Sequence, residues 1–382
     1  MTEKAASRPE AVVVAMSGGV DSSVAAAVLR EQGWKVSGVT LDLFSGREGE
    51  GKEEEGCGGK ADGRSCGGGA AAREAARVAA DLGIPHAVVN LRRRFDRTVV
   101  ADFVAEYARG RTPNPCVRCN RFVKFGPLLG RAKRLGAAKI ATGHYARVDF
   151  DGKSGRWRLL KGVDTGKDQS YFLYALPQEA LARTIFPLGG MKKTEVRDLA
   201  ARFRLHVARK SESQEICFIP GDDYAAFLRG RIPGAFRPGH IVDGKGKIIG
   251  CHQGFLNYTI GQRKGMGIAA PRPLYVLALD AAANTIVAGP DEALLKSRFA
   301  VAGVNWVAIT GIDGPRAADV KIRSRHEGEP AMLFPGPRKS VIVEFARPQR
   351  AITPGQAAVF YEGDAVLGGG TISRVLNNSE PV

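Results

Sequence analysis

Two cysteines stand three residues apart in the run Arg109–Gly126, RGRTPNPCVRCNRFVKFG, and the cations Arg111, Arg118, Arg121 and Lys124 surround them. Positive charge beside a thiol favours the thiolate, the form that attacks sulfur or binds metal. Pro113 and Pro115 oppose helix before Cys116, so the Cys116-x-x-Cys119 pair is expected at a loop or a helix start. No second C-x-x-C and no paired histidines follow, which leaves a structural zinc site with half its ligands. Cys217, in Ser213-Gln214-Glu215-Ile216-Cys217-Phe218, reads by itself as a core cysteine. Cys57 and Cys66 match no familiar metal spacing, and with Cys251 they carry no assigned role.

A second segment is built for phosphate. Ser17-Gly18-Gly19-Val20-Asp21-Ser22-Ser23 follows the apolar run Ala11–Met16 and opens a helical stretch. Backbone N–H groups and the positive end of a helix converge on an anion at such a junction. Glycines let the backbone approach a pyrophosphate, and the hydroxyls of Ser17, Ser22 and Ser23 are available as donors. Asp21 cannot bind phosphate; it holds Mg²⁺ or orders the loop. The run lacks the Gly-Lys-Ser ending of a Walker A loop.

The elements that must position these residues follow a βαβ pattern. Ala11–Met16 and Val36–Leu43 read as strands around a helix that stops near Gly33. Further helices are expected at Ala70–Asp81 and Pro127–Leu135, and strands at His86–Asn90 and Lys139–Thr142. This predicts an α/β domain with a doubly wound parallel sheet. Ser45–Gly69 is Gly-rich and charged and reads as a loop that buries no core. Beyond about residue 210, turn signals separate short alternating runs such as Val320–Ile322, Ser340–Phe345 and Ala357–Tyr361, which predicts a small C-terminal barrel.

A chain of 382 residues is long enough for two or three cores, and its formal charge of +17 gathers polyanions, nucleic acid first. The N-terminal MTEKAASRPE lacks a secretory pattern, no window approaches a membrane span, and six cysteines are too sparse for a disulfide scaffold. The expected compartment is the cytoplasm.

The glycine loop resembles the PP-loop of ATP pyrophosphatases. Together with RTPNPCVRCNRFVKFG, ATGHYAR (141–147), GKDQSYFLY (166–174), SQEICFIP and GQRKGMGI (261–268), in that order along nearly the whole chain, it resembles the tRNA-specific 2-thiouridylase family. The resemblance implies a PP-loop catalytic domain (1–210), a small central domain (211–282) and a C-terminal β-barrel (283–382), the latter two contacting tRNA. It implies that Ala15, Met16, Ser17, Gly18, Gly19, Val20, Asp21, Ser22, Leu41 and Gly143 hold ATP with Mg²⁺. It places the target base, a wobble uridine in the anticodon stem-loop, near Asn114, Pro115 and Cys116. It assigns tRNA contacts to His144, Lys167, Asp168, Gln169, Arg323, Ser324 and Gln356. Read without it, Lys167 and Arg323 are surface charges, and Tyr171, Phe172 and Tyr174 are core aromatics.

The activity implied is adenylation of the uridine C2 oxygen followed by displacement of AMP by sulfur. In the family's usual account Cys217 carries a persulfide delivered by a sulfur-relay or cysteine desulfurase protein, and Cys119 attacks its inner sulfur, leaving a Cys119–Cys217 disulfide. Many members have Asp where this chain has Cys116, so no carboxylate fills that position. Two sulfur routes stay open: the persulfide route, and a four-iron four-sulfur cluster held by Cys116, Cys119 and Cys217. Two other classes of function remain beside them: a PP-loop ligase amidating a small metabolite, and a non-catalytic RNA-binding protein with a relic PP-loop fold.

Overall fold

A computed structural model describes residues 10–44, 69–211, 216–219, 221 and 223–376. The expected loop with Cys57 and Cys66 lies outside these residues, apart from Gly69, which opens a helix. Numbered along the chain, the helices are α1 (Val20–Glu31), α2 (Gly69–Asp81), α3 (Arg92–Phe95), α4 (Ala101–Ala108), α5 (Pro115–Arg118), α6 (Gly126–Arg134), α7 (Ser170–Leu173), α8 (Gln178–Ala182), α9 (Lys193–Arg202) and α10 (Tyr224–Arg231). Two units are distinguished, 1–98 with 119–220, and 99–118 with 221–382.

The first unit is built on five parallel strands, β1 (Ala11–Ala15), β2 (Lys35–Asp42), β3 (His86–Asn90), β4 (Lys139–Ala141) and, after the hairpin β5 (Ala146–Asp151)–β6 (Arg156–Lys161), β7 (Thr184–Ile185). Their order is β3-β2-β1-β4-β7. A parallel sheet is covered on both faces, and so its central strand is apolar throughout: Val12, Val13 and Val14 are fully buried. Each such valine contributes about 1.5–3 kcal/mol relative to exposure. On one face α1 buries Val24, Ala25, Ala26 and Leu29 against this strand and against Val196 and Ala200 of α9. Chain order reverses between β1 and β4, and ligands of open α/β sheets sit outside the strand C-termini at such a point. The glycine loop leaves β1 there.

The second unit holds a four-stranded sheet and a barrel. Strands β8 (Gly239–Val242), β9 (Ile248–His252), β10 (Tyr275–Asp280) and β11 (Thr285–Gly289) are ordered β10-β11-β8-β9. Strands β12 (Leu295–Trp306), β13 (Arg316–Lys321), β14 (Glu329–Gly336), β15 (Ser340–Arg350), β16 (Ala357–Glu362) and β17 (Ala365–Val375) run antiparallel in the order β12-β15-β14-β13-β16-β17. Pairing of β12 with β17 closes the ring, so none of the six is left with an unpaired edge by the others. Phe299, Val320, Leu333, Val343, Phe360 and Ile372 alternate inward to fill it. The α/β sheet and the C-terminal barrel are those expected from the sequence. Among the described residues no helix is long and apolar enough to cross a membrane.

Candidate active site

A cavity of about 300 Å³ opens at the strand C-termini of the first unit, lined by Ala15, Met16, Ser17, Gly18, Gly19, Val20, Asp21, Ser22, Leu41 and Gly143. All ten residues expected to hold nucleotide therefore share one surface. Gly19 caps α1 in an extended conformation, leaving the first N–H groups of the helix directed at the cavity.

The loop is held by its own hydroxyls rather than offering all of them. Ser22 Oγ donates to the Gly19 carbonyl at 3.1 Å and accepts from Ser17 N at 3.1 Å. Ser23 is fully buried and donates to the same carbonyl at 2.8 Å, so it is a loop brace and not the phosphate donor expected. The glycines also divide. Gly18 has φ +69°, and a Cβ there would lie 2.6 Å from the Ala71 carbonyl of α2; a Cβ on Gly143 would lie 2.7 Å from Asp21 C and Ser22 N. Both positions are small because protein backbone fills the space. At Gly19 the nearest atom to such a Cβ is Ser17 Oγ at 3.6 Å, which leaves Gly19 as the glycine facing open cavity.

Asp21 is engaged. Its Oδ1 accepts from Lys193 Nζ at 2.6 Å and from the Tyr145 hydroxyl at 2.8 Å. This is the loop-ordering role expected of it, and one partly exposed carboxylate beside a phosphate site is also the donor set Mg²⁺ uses together with substrate phosphates and water. Thr40 donates to the Met16 carbonyl at 2.8 Å and must then accept from His86 Nε2, also at 2.8 Å, which fixes the Nε2–H tautomer. Burial lowers the His86 pKa, in keeping with a neutral ring.

His144, Lys167 and Gln169, expected at tRNA, line the same cavity. The His144 ring packs on Phe125 and Phe186 and pairs with Thr142 Oγ1 at 2.7 Å. Burial and then the Lys124 charge hold its pKa well below the ordinary value, so it works as a neutral hydrogen-bonding group. Gln169 Oε1 accepts from Tyr145 N at 3.0 Å. Asp168 is turned inward: its oxygens accept from Gly162 N, Ser170 N and Ser170 Oγ at 3.0, 3.0 and 2.8 Å, shaping the loop that presents its neighbours. Lys124, Lys193 and Lys210 also line the cavity; Lys124 stands in the sequence as a cation of the cysteine run, and Lys193 and Lys210 come from distant segments with no spacing signal. Lys210 Nζ donates to the Gly18 carbonyl at 3.1 Å.

Cys119 begins a π-helical stretch, Cys119–Phe125, that follows α5, so the cysteine pair lies in the first turns of one helical run. Pi-helical turns inside helices recur at functional sites. Cys119 is buried, Cys217 half-buried and Cys116 exposed. The turn α3 grips both cysteine-bearing segments of the first unit with consecutive residues. Arg94 Nε donates to the Phe122 carbonyl at 2.6 Å, and the Phe95 ring meets Phe218 edge-on at 5.5 Å. Asn120, next to Cys119, is buried and donates to the Phe172 carbonyl at 3.0 Å, tying the π-helix to the Lys167–Phe172 segment.

Arg111 and Arg118 are paired with carboxylates, Glu106 and Asp102, each at 3.0 Å. Among the described residues no three Cys, His, Asp or Glu side chains are grouped as metal ligands, so nothing here favours the three-thiolate cluster. In the second unit Asn114 Oδ1 accepts from Val117 N at 3.4 Å ahead of Pro115 and Cys116. Gln356 Nε2 donates to the Thr112 carbonyl at 3.2 Å, so its amide braces the loop that leads to Cys116. Arg323 and Ser324 are exposed on the barrel.

Comparison with known proteins divides the chain into three stretches. Family models described as tRNA methyl transferase HUP domain, tRNA methyl transferase PRC-barrel domain and Aminomethyltransferase beta-barrel domain match residues 10–221, 225–290 and 296–372. The tRNA-specific 2-thiouridylase MnmA of Heliobacterium modesticaldum is 52% identical over 97% of this chain and 94% of its own length. That of Symbiobacterium thermophilum is 48% identical over 99% and 96%. A solved 4-thiouridine synthetase–RNA complex with bound ATP covers 59% of this chain and 50% of that one at 17% identity and a TM-score of 0.35, too slight a likeness to carry weight. At this identity over nearly the full length of both chains, the protein belongs to the tRNA-specific 2-thiouridylase MnmA family.

Proposed function

We propose that this protein is an ATP-dependent tRNA uridine 2-sulfurtransferase of the cytoplasm. ATP enters the glycine-loop cavity; Asp21 would hold the accompanying Mg²⁺, which would supply positive charge against the phosphates. The uridine C2 oxygen attacks the α-phosphorus, pyrophosphate leaves, and the N3 proton is lost. The loop N–H groups and the lysines around them stabilise charge that develops on the phosphates.

Sulfur follows by a relay. A cysteine desulfurase or relay protein supplies the outer sulfur of a Cys217 persulfide. The Cys119 thiolate attacks the inner sulfur, a Cys119–Cys217 disulfide forms, and hydrosulfide is released. Hydrosulfide adds to C2 and AMP departs with the oxygen. A thiol reductant then returns the disulfide to two thiols. Asn114, Pro115 and Cys116 border the target base in this reading; Lys167, Gln169, Arg323 and Ser324 meet tRNA, while Asp168, His144 and Gln356 support the surfaces that do.

The observation that carries the relay is the grip of α3: adjacent residues, Arg94 and Phe95, hold the segments of Cys119 and Cys217 in the unit that contains the nucleotide cavity. A relic RNA-binding fold accounts for neither this nor the intact lysine-lined cavity. The test is thiolation of unmodified tRNA with parallel measurement of AMP and tRNA binding. Wild type forms AMP only with tRNA. Cys119→Ser and Cys217→Ser each lower thiolation about a thousandfold or more, the scale on which enzymes lose rate with their nucleophile, while tRNA binding is retained. Wild-type thiolation by either variant removes that cysteine from the relay, and tRNA-independent AMP formation points to a small-metabolite ligase instead.

A further inference from the structure

Four lysines, Lys124, Lys167, Lys193 and Lys210, line the nucleotide cavity, against Asp21 as its one carboxylate among the described residues. The loop Ser17–Ser23 itself contains no cation. The charge of a triphosphate must therefore be met by side chains from elsewhere in the unit.

Lys193 is placed unlike an ordinary surface lysine. The residue is 9% exposed, and its Nζ lies 2.6 Å from an Asp21 oxygen that the Tyr145 hydroxyl also shares. It is the first residue of α9, and its backbone N–H is fixed by Asp164 Oδ2 at 2.8 Å. A cation at the positive end of a helix is disfavoured by the dipole, and burying an ammonium costs free energy unless it is paired. The dipole cost is accepted, and the burial cost is offset by Asp21, at the wall of the cavity where the triphosphate is expected, and phosphate can relieve the one and take over the other.

We propose that Lys193 is a phosphate-binding residue of this site, paired with Asp21 before nucleotide binds and transferred to the β- and γ-phosphates when it does. The proposal rests on the reading above that ATP is the substrate, and it names the residue that recognises the leaving pyrophosphate. The exchange leaves no charge unpaired: the carboxylate–ammonium pair is replaced by an ammonium–phosphate pair, and Asp21 would hold the divalent cation that accompanies ATP. Charge grows on the β-phosphate as its bond to the α-phosphorus breaks, so the ammonium binds more tightly as the reaction proceeds. Lys193 belongs to the pyrophosphate half of the ligand and not to the adenosine.

Calorimetric titration of the full-length protein with ATP, AMP and inorganic pyrophosphate tests this without turnover. Lys193→Gln should weaken ATP and pyrophosphate binding by about 10- to 100-fold, the range for losing a hydrogen bond to a charged group, with AMP affinity unchanged. Lys193→Arg should recover part of the loss. Asp21→Asn should keep or tighten magnesium-free pyrophosphate binding, because the lysine no longer has a competing partner. If the unpaired carboxylate left by Lys193→Gln prevents folding, the double variant Asp21→Asn/Lys193→Gln removes it and should show the same selective loss. Equal weakening of ATP and AMP, or wild-type pyrophosphate affinity in Lys193→Gln, overturns the proposal. Failure of the wild-type protein to bind ATP at all is a different result, which sinks the ATP reading itself.

Discussion

At the scale of single residues, His144 has an electrostatic consequence that can be measured away from catalysis. Burial and the Lys124 charge hold its folded pKa well below 6.5, the value it regains when the chain unfolds. Between these two values the unfolded state binds the proton that the folded state refuses, so stability rises with pH there. The stabilisation is complete above pH 6.5 and is lost as pH falls toward the depressed folded value. His86, His252 and His326 are lowered by burial too and add slopes of the same sign. Unfolding free energy measured in denaturant should therefore fall as pH drops from about 7 to 5, by at most about 1.4 kcal/mol per pH unit for each group. His144→Gln should flatten that slope by up to one proton. A slope identical to wild type would mean that the ring takes up its proton as readily in the folded protein as in the unfolded chain.

At the scale of elements, the glycines make separate predictions because they are small for different reasons. Gly18→Ala puts an L side chain at φ +69° and against the Ala71 carbonyl of α2, and Gly143→Ala drives β4 off the start of α1. Each should cost about 1–3 kcal/mol of stability, the range for overpacking, with nucleotide affinity falling as the loop shifts. Gly19→Ala meets only Ser17 Oγ at an ordinary contact distance, so it should melt within a degree or two of wild type yet bind ATP more weakly. A Gly19→Ala protein with unchanged ATP affinity would show that phosphate does not approach this backbone. The elements themselves were legible in the sequence. Apolar runs bounded by turn residues marked β1 to β4, and α1 and α2 were found within a few residues, since local pattern decides those. What α1 presents to the cavity was not legible, because Lys193 and Lys210 reach it from α9 and beyond, where nothing in the spacing of MKKTEV or HVARK marks them. The border drawn at residue 282 also falls in the turn of the β10–β11 hairpin, whose strands pair across it; alternating strands give no sign of which sheet they join.

At the scale of the whole molecule, a formal charge of +17 marks the partner class and says little about where on the chain the charge is used. Some of it is consumed internally: Arg111, Arg118, Arg158 and Arg350 sit in ion pairs with Glu106, Asp102, Asp149 and Asp291. Lys124, Lys193 and Lys210 face the nucleotide cavity, beside Lys167, which the proposed function gives to tRNA. Exposed residues such as Arg323, whose Nη1 reaches the Arg350 carbonyl at 3.1 Å, are the ones the proposed function gives to RNA. Salt titration separates the last two groups. Each phosphate neutralised by a surface cation releases counterions and adds about 0.7–0.9 to the slope of log K against log salt. Arg323→Gln should therefore weaken tRNA binding for every sequence alike and reduce that slope by about one contact. Lys193→Gln, which acts on nucleotide, should leave the tRNA slope at its wild-type value while ATP affinity falls. If the two variants alter the tRNA slope equally, the cavity lysines are part of the RNA surface, and the division of charge between nucleotide and tRNA does not hold.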